Sequence, residues 1–280
     1  MRFASVVVVG AGQMGAGIAQ VVAASGRKVV LVDVVPGAVE AGLGRIRSSL
    51  EKLAARSAEV NPAEVLSRIK GSNELAPAEL LIEAIVEDPQ AKEELFHRAD
   101  QVLPPDAVLA SNTSSISIAR LGAATERPDR VIGMHFFNPV PLIGLVEVIR
   151  GRETSAETAG GVVELVRELG KTPVECRDSP GFVANRILMP MINEAAYALL
   201  EEVADAEAID TVARLGLNHP MGPLALADLI GIDTCVAIMD VLHEAFGDPK
   251  YAPCPLLRDY VAAGRFGRKS GRGFYDYATA

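Results

Sequence analysis

Three cysteines, Cys176, Cys235 and Cys254, are all the chain contains, odd in number and scattered. No CxxC pair and no disulfide framework can be drawn from them, so a reducing, cytoplasmic compartment is expected. Histidine is almost as scarce. His97, His135, His219 and His243 are the four, and with the cysteines they show no metal-ligand spacing, so no metal is expected. Positive charge is in deficit: 27 Lys and Arg stand against 36 Asp and Glu, a net charge of −9. Affinity for phosphate backbones rests on clustered Lys and Arg, so no nucleic-acid partner is expected. The local basic run "GRFGRKSGRGF" (264–274) reads first as a solvated face or C-terminal strap, with contact to a phosphorylated small molecule as the alternative. No apolar run approaches transmembrane length. The run that opens the chain is too short for a signal peptide and continues straight into a glycine motif. No membrane partner is expected.

What is present suits a globular protein of two domains: 280 residues, 49% hydrophobic and 22% charged. The first half alternates short apolar runs with helical patterns, as a parallel sheet covered by helices requires. Strands are expected at 3–10, 28–33, 80–87, 107–112 and 130–137, then at "GLVEVIRG" and "TPVEC". Helices are expected at 14–26, at 36–58 with Pro36 in its first turn, at 90–103 and at 158–170, with a polar segment running to about residue 77. From Ser179 the pattern turns helical, with Pro190 as a kink and Gly216 as a helix stop. The expected architecture is α/β: a Rossmann-type, mainly parallel sheet domain over 1–182, then an all-helical domain over 183–280.

"VVVVGAGQMG" sets Gly10, Gly12 and Gly15 as GxGxxG between a strand and a helix. In that context one glycine makes the tight turn, one admits a pyrophosphate, and one lets helix and strand pack closely. The helix N-terminus offers free N–H groups to the phosphates. Asp33 ends the next strand, eighteen residues beyond Gly15. A carboxylate there accepts hydrogen bonds from an adenosine ribose and repels a 2′-phosphate, which favours NAD over NADP. The alternative is an ordinary strand-end residue, and the fingerprint is silent on the reaction.

Oxidising an alcohol with NAD needs a base for the hydroxyl proton, and histidine suits because its unperturbed pKa of about 6.5 lies near working pH. His135 ends a strand at the sheet edge where such folds bind ligands. Glu147, in "LVEVI", has apolar neighbours, and a lone buried carboxylate needs a partner. If the two meet, Glu147 fixes the imidazole tautomer. The competing readings are a core histidine that has found a hydrogen bond, and a glutamate on an exposed strand edge. "SNTSSIS" (111–117) offers hydroxyls for a substrate oxygen, or a helix cap. "PGFVANR" puts Asn185 at the domain junction, where a cleft is expected.

"GAGQMGAGIA", "EAIVED", "SNTSSIS", "HFFNPVP…LVEVI", "DSPGFVANRI", "HPMGPLALAD" and "GRGFYDY" stand in the order seen in L-3-hydroxyacyl-CoA dehydrogenases. The chain resembles that family, in its short bacterial 3-hydroxybutyryl-CoA form, over essentially its whole length. The resemblance implies reversible, NAD-dependent oxidation of a (3S)-3-hydroxyacyl-CoA to the 3-oxoacyl-CoA. It implies His135 and Glu147 as the catalytic pair, Ser114 and Asn185 as substrate-binding partners in catalysis, and cofactor contacts at Gly10, Gly12, Gly15, Asp33, Glu87 and Lys92. Ser49 and Arg56 align with residues that meet CoA, and the helical domain with a homodimer contact. Gly144 stands where relatives commonly carry lysine, Asp88 where asparagine is common, and Arg56 where lysine occurs. Related readings are a dehydrogenase of a free sugar acid such as L-gulonate, a hydroxyacid dehydrogenase with a catalytic lysine, and a non-catalytic NAD-binding protein like some lens crystallins.

Overall fold

The computed structural model describes residues 3–57 and 60–277. Two compact units divide at Ser179 and Pro180. In the first, eight strands form one sheet in the order β3-β2-β1-β4-β5-β6-β7-β8. They are β1 (Ser5–Val9), β2 (Lys28–Val32), β3 (Ile69–Ser72), β4 (Leu80–Glu83), β5 (Val108–Ser111), β6 (Val131–Phe136), β7 (Leu145–Arg150) and β8 (Thr172–Arg177). Helices α1 (Gln13–Ala24), α2 (Ala38–Ala54), α3 (Pro62–Ser67), α4 (Pro89–Val102), α5 (Ile118–Gly122) and α6 (Ala156–Glu168) connect them. Central strands read as unbroken apolar runs because helices cover both sheet faces. Val6, Val8, Leu80, Ile82, Val108, Ile132 and Val148 share one core with Ile18, Val22 and Ile46 of the helices.

Neighbouring strands are parallel except β6 and β7, which run antiparallel with Gly133 opposite Ile149 and Phe136 opposite Val146. That one reversal turns the chain back after His135. The chain order also changes direction at β1, so the C-terminal ends of β1 and β4 flank the switch point where such sheets bind ligands.

Three sequence expectations need correction. The helix expected from Pro36 begins at Ala38, because Gly37 before it is left-handed (φ 78°) and cannot continue a helical turn back to the proline. It ends at Ala54, and residue 58, its expected end, lies outside the described residues. The polar segment to residue 77 contains α3, capped by Asn61 Oδ1 accepting from the Glu64 amide at 3.3 Å, and the strand β3. The strand expected over 80–87 stops at Glu83, where the chain leaves the sheet toward the site.

The second unit is helical: α7 (Ala184–Leu200), α8 (Ala206–Thr211), α9 (Pro223–Ile230), α10 (Ile232–Phe246) and α11 (Pro255–Ala262). Met189, Ile192, Ala227, Cys235, Met239 and Leu257 belong to its core. Pro190 lies within α7, and a π-helical turn, Val212–Gly216, follows α8. The basic run 264–274 is part of a strap. Phe274 and Tyr275 donate their amides to the buried carboxylate of Asp228 at 2.9 Å each, and the Tyr275 hydroxyl donates to Asp210 at 2.7 Å. Arg265 of the same run lies over the Tyr260 ring.

Candidate active site

The glycine loop separates structural from vacant positions. A Cβ on Gly15 would sit 1.7 Å from the Gly10 carbonyl oxygen, so that glycine lets α1 close on the turn. A Cβ on Gly10, itself left-handed at φ 101°, would meet the Ala84 oxygen at 2.4 Å. Gly12 differs. Its φ is −66°, and a Cβ there would meet nothing within 4 Å. The fold has no need of glycine at this N-cap, and no side chain caps α1 or puts an acid in its first turn. A cradle of amides with space before it fits a pyrophosphate. Asp33 braces the loop: its Oδ2 accepts from the Ala11 amide at 2.8 Å and its Oδ1 from Val35 at 2.9 Å. Gly12→Ala is therefore expected to lower NADH affinity at least about tenfold while the melting temperature falls by only a few degrees, the size of a weakened cap. Fluorescence titration beside a thermal melt checks both.

Next to this loop lies an ion cluster that the sequence reading found only in part. Lys92 and Glu87 were both expected at the cofactor; Glu83, which joins them, was missed. Lys92 is 1% exposed and Glu83 is fully buried. The Lys92 ammonium donates to Glu83 Oε1 and Oε2 at 2.8 and 2.9 Å, and lies 2.9 Å from Glu87 Oε2. Ser111 Oγ and the Ile85 amide complete the shell of Glu83 at 2.5 and 2.7 Å. Burial pushes the Glu83 carboxyl above the ordinary range, outweighing Lys92. Burial acts the same way on Glu87, but Lys92 and the donors from the 113–115 segment together carry it below that range. Those donors include Thr113 Oγ1 at 2.5 Å, the Ser114 amide at 2.9 Å and the Ser114 hydroxyl at 3.3 Å. Ser114 is thus seated on Glu87. Asp88 caps α4, its Oδ1 accepting from the Ala91 amide at 2.8 Å, a task asparagine performs equally well.

His135 is the penultimate residue of β6, and the antiparallel register sets it directly opposite Glu147 of β7. Opposite residues of an antiparallel pair project from the same face, close enough to touch. Here His135 Nδ1 lies 2.8 Å from Glu147 Oε2. The pair is nearly enclosed, with 8% and 1% exposure, and the Phe137 ring stands 4.6 Å from the imidazole. An ionised carboxylate only accepts, so Nδ1 carries the hydrogen. Burial pushes the nearby Cys176 thiol up to about 11, and the Glu147 charge adds to the shift. Asn112, also missed, ties the neighbouring loop to this strand, its Oδ1 accepting from the Phe136 amide at 2.8 Å.

A cavity of about 710 Å³ opens between α2 and the loop joining β6 to β7. Ser49 lines it from α2, and Arg56 lines it from just past the helix end rather than within the helix. Arg45 and Lys52 line the same side. Positions 45, 49, 52 and 56 form one stripe at helical spacing, a signal from which Arg45 and Lys52 were readable. Gln13 and Asn138–Leu142 form the facing wall. Nothing lies within 4 Å of a Cβ built on Gly144, so a longer side chain has room there. Asn185, buried, sits in the first turn of α7 in the helical unit. Among the described residues no group of three or more His, Cys, Asp or Glu is arranged for a metal, and no helix is long and apolar enough to cross a membrane.

Comparison with known proteins adds a second line. The family profile for 3-hydroxyacyl-CoA dehydrogenase, NAD binding domain, matches residues 5–179, and that for the C-terminal domain matches residues 181–277. A probable 3-hydroxybutyryl-CoA dehydrogenase of Bacillus subtilis (strain 168) is 56% identical over 282 residues, covering 99% of this chain and 98% of the relative. The 3-hydroxybutyryl-CoA dehydrogenase of Bradyrhizobium diazoefficiens is 51% identical, covering 98% of this chain and 95% of its own. The crystal structure of (S)-3-hydroxybutyryl-CoA dehydrogenase from Ralstonia eutropha, 49% identical, matches with a TM-score of 0.94 over 98% of this chain and 99% of that one.

Proposed function

The chain belongs to the 3-hydroxyacyl-CoA dehydrogenase family, and on that premise we propose that it oxidises (S)-3-hydroxybutyryl-CoA to acetoacetyl-CoA with NAD, reversibly. The observation that carries the reading is the enclosed His135–Glu147 pair, 2.8 Å apart, at the C-terminal end of β6. Bound NAD would supply the acceptor for the hydride from C3. The glycine loop (Gly10, Gly12, Gly15) and the start of α1 hold its pyrophosphate, Asp33 its adenosine ribose, and Glu87 with Lys92 the remaining contacts.

With Nδ1–H committed to Glu147, Nε2 of His135 is the atom that takes the 3-hydroxyl proton. The Glu147 carboxylate keeps the ring in that tautomer and stabilises the imidazolium that forms. In the reverse direction the imidazolium returns the proton to the 3-keto oxygen. Ser114, seated on Glu87, is the proposed substrate-binding residue of the first unit, holding the reacting oxygen so that C3 is presented in one orientation, and Asn185, in the first turn of α7, is that of the helical unit. Ser49, Lys52 and Arg56 take the phosphorylated end of CoA in their cavity; guanidinium and ammonium groups along a helix suit such anions.

The helical unit is the proposed homodimer contact, supported by exposed apolar side chains such as Val203 (73%), Leu215 (81%) and Leu217 (64%). A reducing cytoplasm is the proposed compartment, in keeping with the free thiols of Cys176, Cys235 and Cys254.

The test is NAD reduction with (S)-3-hydroxybutyryl-CoA beside the (R) ester and free 3-hydroxybutyrate. A kcat/KM for the (S) ester at least about a hundredfold above both is expected: the free acid leaves the CoA cavity unfilled, and the (R) ester, held by the same CoA, turns its hydroxyl or its C3 hydrogen away from the reacting groups. Comparable turnover of the free acid would move the chain to the dehydrogenases of free hydroxy acids.

A further inference from the structure

Lys171 has no place in the chemistry above, yet it is buried, 8% exposed, immediately before β8. No carboxylate among the described residues pairs with it. Its ammonium instead donates to two backbone carbonyls, Val140 O and Ile143 O, at 2.6 Å each. Burial pulls this ammonium below the ordinary lysine value. Both acceptors belong to the loop between β6 and β7, which forms one wall of the cavity.

The same loop is fixed at three other points. Thr172, the next residue, donates its amide to Gly144 O at 2.7 Å. Asn138 Oδ1 accepts from Gln13 Nε2, in the first turn of α1, at 2.9 Å. Val140 packs on α1 where Gly17 leaves room; a Cβ on that glycine would stand 2.9 Å from the Val140 Cβ. Within the loop, Leu142 and Ile143 both donate to Pro139 O, which turns Val140 O and Ile143 O inward. Without Lys171 those two carbonyls lose their side-chain donor; Val140 is buried, and a buried carbonyl left without a partner drives its segment to rearrange.

We propose that Lys171 is a positioning residue: through Val140 and Ile143 it sets the loop wall of the cavity, and so fixes affinity for the nucleotide end of the CoA ester rather than the reaction at His135. The proposal rests on the reading of that cavity as the CoA site. It separates recognition from chemistry within one hairpin, since His135 is held by its own partner on β7 while the loop is held from β8.

The experiment compares acetoacetyl-CoA with acetoacetyl-N-acetylcysteamine, a thioester that lacks the nucleotide, in NADH-dependent reduction by the wild type and Lys171→Met. Misplacing one wall of a binding site by about an ångström lowers kcat/KM for the CoA ester roughly tenfold or more. The same variant is expected to leave kcat/KM for the truncated thioester and the Kd of NADH within about twofold of wild type. Equal losses on both thioesters, or no loss on either, overturn the role of Lys171. A wild type that does not prefer the CoA ester, or turns over neither, sinks the cavity reading and the proposal with it. Should Lys171→Met not fold, Lys171→Gln, which keeps one donor, is put through the same comparison with a smaller loss on the CoA ester expected and the same overturning results.

Discussion

Replacing His135 with glutamine is expected to lower kcat for acetoacetyl-CoA reduction by roughly 10²–10⁴-fold, the share a positioned general acid or base supplies. Glutamine keeps a planar, polar group able to donate to Glu147, so the β6–β7 pairing survives; what it lacks is a ring nitrogen that can take up and return a proton. The Kd of NADH is expected to change little, because the glycine loop and Asp33 are fixed by contacts of their own. Glu147→Gln is milder in kind. It removes the charge that supports the imidazolium and allows the amide to donate to Nδ1, which favours the wrong tautomer, so a loss of roughly tenfold or more is expected. Near-normal kcat in His135→Gln, with NADH bound, would mean that the proton takes another route and that the histidine is a core residue with a well-made hydrogen bond.

Lys92→Met is expected to lower the unfolding free energy by about 3–5 kcal/mol, the usual consequence of removing one member of an enclosed ion pair. Glu83 makes the loss large: it is fully buried, and the ammonium contacts both its oxygens. The variant also acquires a pH dependence of definite sign. With Lys92 gone, burial is the dominant influence on Glu83, whose carboxyl already stands above the ordinary value of 4.5. A carboxyl whose folded pKa exceeds its unfolded one binds its proton more tightly in the folded state. Its stability is then greatest below the unfolded value and falls as pH rises through the folded one. The deficit of Lys92→Met is therefore smallest in acid and grows toward neutrality. Glu87 opposes this in the wild type: its lowered pKa contributes stability above 4.5 that is lost as pH falls through the folded value. Urea denaturation at about pH 5 and about pH 7.5 checks the trend, and Glu83→Gln combined with Lys92→Met is expected to recover much of the loss by removing the stranded charge. A deficit that shrinks toward neutral pH would contradict the assignment.

Which parts of this site the sequence revealed follows from the range of the interactions involved. The glycine loop was legible because each of its constraints is local: turn, helix start and strand end lie within a few residues of one another. His135 and Glu147 were legible as an unusual histidine and an unusual carboxylate, but their meeting depends on β6 and β7 forming the one antiparallel pair of the sheet, which residue pattern alone does not dictate. Glu83 and Lys171 read in sequence as ordinary charged residues, and Lys92 stood out only through the family resemblance. Their partners come from other elements, Ser111 from β5 and the carbonyls of a loop more than two dozen positions before Lys171, so their burial is a tertiary fact. Strand β3 went unread because "IKGS" has neither an apolar run nor clean alternation, being a half-buried edge. Pro36 misled in the opposite direction: proline is at home in a first helical turn, and only the left-handed turn at Gly37 excluded it here. The basic stripe of α2 lies between these cases. Its spacing was visible, and its significance appeared with the cavity in front of it.

The most direct measurement is NADH oxidation by the purified protein with acetoacetyl-CoA, run beside free acetoacetate with NADH and acetoacetyl-CoA with NADPH. Rapid turnover with the CoA ester and NADH, and little in either other mixture, is the expected result. Absence of turnover while NADH still binds, or equal turnover of the free keto acid, would contradict the assignment of a 3-hydroxyacyl-CoA dehydrogenase acting through His135.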